Sequence, residues 1–210
     1  MERTVAKCLL EIKSVFYGFE HEYISSAGPR MPVYCDNRLI LSYPRVRKVL
    51  TKWLANLVKE KYPDVEMIIG TAPAGIAFAS LLSDYLGLPL GYVLSAKKEH
   101  GFKNRVEGLI KDGVKVVVVD DVIFTGNTLT DVVSCLKESN CNVLGAVAIV
   151  SYEIGETKNK LQEANINYTS LTNYDVINLV SIQAGKISYQ QFLKTLKFKE
   201  NPNSEDWLKD

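Results

Sequence analysis

The sequence predicts an α/β protein with a mostly parallel sheet and helices on both of its faces. Strand-like and helix-like segments alternate through the middle of the chain, which is the pattern of βαβ units. Residues Val116–Val119 are four β-branched apolar residues in a row, which is typical of a strand buried on both faces. A chain of 210 residues with 47% hydrophobic and 23% charged residues can bury the core of one such domain.

The N-terminal part is predicted to contain two helices on either side of an irregular segment. Apolar residues recur at helical spacing over residues 2–18. Residues 22–42 are punctuated by glycine and proline and predict short strands. Residues 43–60 predict the clearest helix, because apolar side chains occupy one face and Lys and Arg the other; Pro63 ends it.

From residue 67 onward, short apolar runs alternate with helical spacing. The runs predict strands at residues 67–70, 90–94, 116–119, 143–150 and 166–171. The helical spacing predicts helices at residues 74–86, 128–139 and 156–164, with further helices from about 174 to 198. The polar tail ends near Trp207, a side chain that we expect to dock on the rest of the chain.

Composition narrows the possible functions. The net charge of +1 gives no electrostatic footprint for nucleic acid or a membrane surface. We expect no secretory signal, because Met1–Thr4 is not a basic region followed by a long apolar run, and the longest apolar stretch, Val143–Val150, is too short to span a bilayer. None of the four cysteines lies in a C-x-x-C pair, so we expect free thiols rather than a zinc site. Cys35 is expected to be a small buried residue rather than a nucleophile, because no base is spaced to activate it.

Two adjacent carboxylates, Asp120 and Asp121, follow the apolar strand where we expect it to end, and Thr125–Thr128 then opens a helix. Open α/β sheets bind ligands at the carboxyl ends of their strands. Backbone N–H groups at a helix start, beside threonine hydroxyls, suit a phosphate, whereas the acids suit sugar hydroxyls or a hydrated magnesium ion. This pattern predicts a site for a phosphorylated ribose. The alternative is a solvated turn with Thr128 or Asn127 as the N-cap.

Two other loops are candidates for ligand binding. The small residues Thr71–Gly75 follow a neighbouring predicted strand and would let the backbone approach a ligand, although alone they are more typical of a tight turn. The loop at residues 95–105 is long, rich in cations that include Lys98, and holds His100. It is either a solvated surface loop or a lid, and a cationic lid would suit a pyrophosphate leaving group.

Together these segments resemble the orotate phosphoribosyltransferases, a branch of the type I phosphoribosyltransferases, and those of Gram-positive bacteria in particular. The likeness covers essentially the whole chain and rests on Pro32–Arg38, Leu41–Pro44, Gly70–Ala72, His100–Gly101, Asn104, Val106–Gly108, Val116–Thr128, Tyr152–Glu153 and the tail Asn201–Trp207. It implies the type I phosphoribosyltransferase fold, a Rossmann-like, mostly parallel sheet flanked by helices with a small N-terminal hood. It also implies one domain over residues 1–210, with a helix and hood at about 1–42, the core at about 43–172, and C-terminal helices to 210.

The resemblance further implies an activity. The phosphoribosyl group of phosphoribosyl pyrophosphate (PRPP) would pass to N1 of orotate, giving orotidine 5′-phosphate and pyrophosphate in pyrimidine (UMP) biosynthesis. The implied cofactor is Mg²⁺, held mainly by PRPP and water and not directly by the protein. The implied assembly is a cytoplasmic homodimer in which loop 95–106 completes the neighbouring site, with neither nucleic acid nor membrane as a partner.

The family pattern also implies a role for individual residues. The implied catalytic residues, which also bind PRPP, are Asp120, Asp121, Lys98 and His100. The other implied PRPP-binding residues are Val122, Ile123, Phe124, Thr125, Gly126, Asn127 and Thr128. The implied pyrophosphate loop consists of Thr71, Ala72, Pro73, Ala74 and Gly75, and the implied base pocket of Phe124 and Tyr34.

Three positions depart from the family pattern. Leu94 stands where an arginine usually contacts PRPP from the partner subunit, and Asn127 replaces a usual Gly, Ala or Thr. Phe124 stands where Ser or Thr usually touches orotate, and a phenyl ring can donate no hydrogen bond. Two alternatives therefore stay open: a paralogue that acts on another base, and a regulator that binds PRPP without catalysis.

Overall fold

The computed structural model of the chain describes residues 1–19, 23–24, 30–95 and 105–208. The N-terminal helix α1 covers Glu2–Glu11, and strand β1 follows at Val15–Tyr17. The helix predicted over residues 2–18 is therefore wrong beyond Glu11. Lys13 adopts a positive φ of 57°, and the amide and hydroxyl of Ser14 both donate to the carbonyl of Leu9, which ends the helix.

The irregular segment predicted before the second helix forms short antiparallel strands. β1 pairs with β4 (Val33–Cys35), and β2 (Tyr23–Ile24) pairs with β3 (Arg30–Met31). A 3₁₀ helix then covers Asn37–Ser42. Helix α2 covers Pro44–Lys61, which confirms the predicted helix to within one residue at each end.

The remaining chain builds a six-stranded sheet and its helices. The strands are β5 (Met67–Thr71), β6 (Leu90–Val93), β7 (Val106–Glu107), β8 (Lys115–Ile123), β9 (Asn142–Ser151) and β10 (Tyr168–Asn173). The helices are α3 (Ala74–Leu86), α4 (Asn127–Glu138), α5 (Thr157–Glu163), α6 (Tyr174–Gln183) and α7 (Tyr189–Glu200), followed by a 3₁₀ turn at Asp206–Leu208. The order across the sheet is β10-β9-β8-β5-β6-β7, and every neighbouring pair is parallel except β6 with β7.

Strand β8 lies in the middle of the sheet and is buried on both faces, as its sequence predicts. Val117 and Val119 pack into the cluster that also contains side chains of α1, α2, α3 and α6. Val116 and Val118 pack into the cluster on the other face, with α4 and α5. All four valines are fully buried, which confirms a sheet with helices on both faces.

Two features complete the fold. Trp207 is buried and meets the ring of Phe198 edge-on at 6.0 Å, which confirms that the tail docks. Within the described ranges, no helix combines the length and apolar character needed to cross a membrane.

Candidate active site

The acidic pair lies within a strand and not after it. The prediction that the strand stops at Val119 is wrong, because β9 continues to Ser151 and keeps β8 paired as far as Ile123. On its other edge β8 loses its partner, since the pairing with β5 ends at Gly70 opposite Val119. The acids therefore stand at a free strand edge that faces the loop after β5.

Both acidic residues are buried, and each keeps only 8% of its surface exposed. The Asp120 carboxylate oxygen Oδ1 accepts a hydrogen bond from the Thr71 hydroxyl at 2.6 Å and from the Asp121 amide at 2.9 Å. Burial, reinforced by the charge of Asp121, raises the pKa of Asp120 to about 7, while the bond from Thr71 opposes that rise.

The second acid is tied to the start of the 3₁₀ helix at Asn37–Ser42. The Asn37 amide, fully buried, donates to the backbone carbonyl of Asp121 at 2.7 Å. Burial raises the pKa of the Asp121 carboxyl, and the charge of nearby Arg38 works in the opposite direction. The Arg38 guanidinium donates hydrogen bonds to both carboxylate oxygens of Asp36, at 2.6 and 3.0 Å. Sequence reasoning singled out Asn37 only as part of a resembling segment, because nothing local predicts a bond to a strand 84 residues away.

The loop after the acids presents backbone N–H groups. Gly126 is the N-cap of α4, with φ of 78°, and no side chain caps the helix. The alternative in which Asn127 or Thr128 serves as the N-cap is therefore wrong. An uncapped helix N-terminus carries partial positive charge and free donors, which suit an anion. The Thr157 hydroxyl donates to the Phe124 carbonyl at 3.0 Å and so helps to fix the loop.

The loop after β5 packs tightly against the acidic strand. The Ala72–Pro73 peptide bond is cis. A Cβ atom at Gly75 would lie 2.5 Å from the carbonyl oxygen of Val119 and would overlap the Thr71 hydroxyl. Only glycine fits there, and its absence of a side chain lets the start of α3 contact β8 at Val119.

The two loops and the acids line one cavity of about 500 Å³. The lining residues are Thr71, Ala72, Pro73, Ala74, Asp120, Asp121, Val122, Ile123, Phe124, Thr125, Gly126, Asn127, Thr128, Leu129 and Asn203. Most of the predicted site residues therefore line this one cavity. The exceptions are Gly75, which lies just behind it, and Tyr34, Lys98 and His100. Asn203 belongs to the C-terminal tail, and no role in the site was predicted for it.

The two residues predicted to line a base pocket are placed differently. Phe124 lines the cavity, but its ring leans on Tyr152 in an edge-to-face contact at 5.0 Å. Tyr34 is half-buried and is not among the described lining residues. Burial raises the pKa of the Tyr34 hydroxyl, the charge of Arg38 lowers it, and the charges of Asp36 and Asp121 add to the rise. Its role in a base pocket stays a prediction.

Lys98 and His100 lie outside the described residues, so their predicted roles stay predictions. On either side of the undescribed residues, Leu94 and Arg105 are joined by two hydrogen bonds of 2.9 Å. Arg105 also forms a two-pronged ion pair with Asp131 of α4. Cys35 is buried, and burial raises the pKa of its thiol to about 12, which agrees with a structural cysteine.

Comparison with known proteins decides the family. The sequence matches the phosphoribosyl transferase domain family over residues 38–183. It is 43% identical to the orotate phosphoribosyltransferase of Bacillus cereus (strain B4264) over 208 residues, which cover 99% of each chain. The chain belongs to the orotate phosphoribosyltransferase family. The resemblance and the fold class predicted from the sequence are thereby confirmed.

Solved structures agree with membership of the orotate phosphoribosyltransferases. The orotate phosphoribosyltransferase from Aeropyrum pernix superposes with a TM-score of 0.75 at 28% identity, covering 88% of this chain and 99% of that one. The UMP synthase of Leishmania donovani gives a TM-score of 0.80 at 22% identity, covering 94% of this chain. The present chain spans 42% of that protein's length, and this second likeness shows the fold alone.

Proposed function

We propose that this family member transfers the phosphoribosyl group of PRPP to N1 of orotate, giving orotidine 5′-phosphate and pyrophosphate. The observation that carries the proposal is the buried pair Asp120 and Asp121, which lies between the two loops that line the cavity. The 43% identity of this chain to an orotate phosphoribosyltransferase over nearly its full length supports orotate as the base. The role in pyrimidine (UMP) biosynthesis follows from that reaction.

The cavity suits the parts of PRPP in order. The uncapped start of α4, with Thr125 and Thr128, binds the 5′-phosphate and supplies binding energy away from the reacting bond. The acids bind the ribose hydroxyls, and Thr71–Ala74 receives the pyrophosphate. Holding both ends of the substrate orients the bond that breaks between them.

Catalysis then depends on charge. The bond from ribose to pyrophosphate breaks through an oxocarbenium-like state, as in other glycosyl transfers, so positive charge grows on the sugar. Ionised Asp120 and Asp121 stabilise that charge across a short distance in a partly dry site. No side chain needs to act as a nucleophile. Exclusion of water by the closed site protects the reactive sugar from hydrolysis.

The residues present fit a Mg²⁺ ion that is shared with the substrate. Mg²⁺ usually keeps several waters and takes one or two carboxylates together with phosphates, and the cavity offers two carboxylates beside the pyrophosphate position. PRPP and water would coordinate the ion for the most part, and Asp120 and Asp121 would hold it through its water molecules. When bound, it supplies positive charge to the departing pyrophosphate.

We further propose a cytoplasmic homodimer of one-domain subunits, with residues 1–42 as helix and hood and 43–172 as the core. The loop at residues 95–106 would reach the neighbouring site, where Lys98 and His100 would neutralise the leaving pyrophosphate. The linkage of Leu94, Arg105 and Asp131 supports a fixed base for that loop.

The experiment that tests the function is a base-by-base assay with PRPP and Mg²⁺ that measures release of pyrophosphate. Orotate is expected to be the most active base. Pyrophosphate release with another base and none with orotate would contradict the choice of orotate and support the paralogue. Binding of PRPP without release for any base would contradict catalysis altogether.

A further inference from the structure

The C-terminal tail contributes Asn203 to the substrate cavity. All other described lining residues come from the loop after β5 or from the segment Asp120–Leu129, whereas Asn203 lies about 75 positions beyond that segment. Its side chain is exposed, and its amide makes no hydrogen bond with any described residue. An amide presents two donors and one acceptor, so an unpartnered amide at the edge of a cavity is available to a ligand.

The tail that carries Asn203 is fixed at several points. The buried ring of Trp207 anchors it on Phe198. The Ser204 amide donates to the carbonyl of Asn201 at 3.1 Å, which closes a turn around Asn203. Glu205 forms an ion pair with Arg30 of β3 at 3.5 Å. The backbone that carries Asn203 is therefore held in place, so binding through this residue would not need the tail to be ordered first.

The position of Asn203 selects one part of the ligand. An adjoining cavity of about 400 Å³ shares Phe124, Thr125, Asn127 and Asn203 with the substrate cavity. Asn203 therefore lies on the side of the phosphate-binding loop, away from Thr71–Ala74, where the pyrophosphate would bind.

We propose that Asn203 is a substrate-binding residue whose side-chain amide donates a hydrogen bond to the 5′-phosphate of the phosphoribosyl group. This inference rests on the proposed function for its ligand, since it places the 5′-phosphate at Thr125–Thr128. The tail thereby becomes a wall of the substrate site, joined to the hood through Arg30 and Glu205.

The test uses two probes that each carry one end of PRPP. Ribose 5-phosphate and pyrophosphate are titrated separately into the full-length wild type and Asn203→Ala by calorimetry. Loss of a hydrogen bond to a charged group is expected to weaken ribose 5-phosphate roughly tenfold and to leave pyrophosphate unchanged. Asn203→Asp, which adds negative charge, is expected to weaken it further. The control is Asn201→Ala, an exposed change in the same tail outside the substrate cavity, and it should bind both probes normally.

The outcomes separate this inference from the function itself. Equal affinity of wild type and Asn203→Ala for ribose 5-phosphate would overturn the proposal, and so would an effect confined to the KM for orotate. A wild type that binds ribose 5-phosphate but releases no pyrophosphate with orotate would contradict the proposed function. That failure would leave the Asn203 comparison readable, because neither probe requires a base.

Discussion

At Asp120, two effects act in opposite directions on one carboxyl group. Burial and the neighbouring charge of Asp121 favour the protonated form and raise the pKa to about 7. The hydrogen bond from the Thr71 hydroxyl stabilises the charged form and lowers the pKa. In the proposed mechanism the ionised form stabilises a cationic ribose, so Thr71 would help to keep the acid active near neutral pH.

Replacing Thr71 with valine should shift the pH dependence of activity. Valine has nearly the same shape but no hydroxyl, so the pKa of Asp120 rises and the acidic limb of kcat/KM moves to higher pH. Activity in the wild type should fall as the pH drops through about 7, and in Thr71→Val it should fall at a higher pH. Thr71→Ser keeps the hydroxyl and is the control. Identical limbs in all three proteins would mean that Asp120 does not set the limb.

Changing Asp121 to Asn should lower kcat by about 10²-fold or more, the scale for the loss of one preorganised electrostatic group. The folded state should persist, because Asn37 bonds to the backbone carbonyl at this position and not to the side chain. Steady-state kinetics and a thermal melt of the same preparation measure both properties. Near-normal turnover would remove this carboxylate from the mechanism.

The substitution Phe124→Ser tests whether the base pocket is built for orotate. If it is, the KM for orotate should change only modestly, since a regained hydrogen bond is worth about 0.5–1.5 kcal/mol. The free energy of unfolding should fall, because the edge-to-face contact between Phe124 and Tyr152 is lost. Phe124→Leu, which removes the ring without adding a hydroxyl, is the matched control. A large gain of orotate activity from a low start would indicate a pocket built for another base.

At the scale of elements, the site depends on how closely α3 approaches β8. The pairing of β5 with β8 ends at Gly70 opposite Val119, and the chain must turn into α3 immediately. Gly75 occupies the contact, with no room for a Cβ atom against the Val119 carbonyl. The helix start and the acids therefore share one wall.

Gly75→Ala should separate these two elements. We expect a loss of about 1–3 kcal/mol in the free energy of unfolding, the cost of overpacking, together with a fall in kcat as Thr71 moves from Asp120. Urea denaturation and steady-state kinetics measure the two effects. Ser80→Ala, an exposed change on the same helix, should alter neither. A Gly75→Ala enzyme with wild-type kinetics would show that the close approach is not needed for catalysis.

At the scale of the whole molecule, the proposed dimer predicts complementation between subunits. Lys98→Ala and Asp121→Asn subunits should each be nearly inactive alone. If the loop at 95–106 serves the neighbouring site, a mixed dimer contains one site with both residues intact, and activity should return. Mixing the two proteins, with exchange verified by a tag on one of them, measures this recovery. Hybrids that remain inactive would indicate that the loop serves its own subunit or takes no part in catalysis.

The local spacing of apolar residues predicts many of the helices and strands of this fold. Helices α2 and α3 and the buried strand β8 follow from apolar spacing and from glycine and proline stops, because such signals act over a few residues. The acids and the loop before α4 were likewise visible, since a strand, carboxylates and a helix start follow one another directly. The helix at residues 2–18 failed beyond Glu11 because Val15–Tyr17 pair with β4, a partner that periodicity does not identify.

Only the tertiary structure decided the remaining features of the site. The acids are buried within β8 because the pairing of β8 with β9 continues beyond them to Ile123. The sequence of β8 alone does not indicate how far that pairing extends. Asn37 reaches Asp121 from the hood, and Asn203 reaches the cavity from the tail. These contacts join segments far apart in the chain, so their residue types show no local pattern. The sequence by itself predicted which loops line the cavity, and packing between distant segments decided which other side chains line it and how far burial shifts the pKa values of the acids.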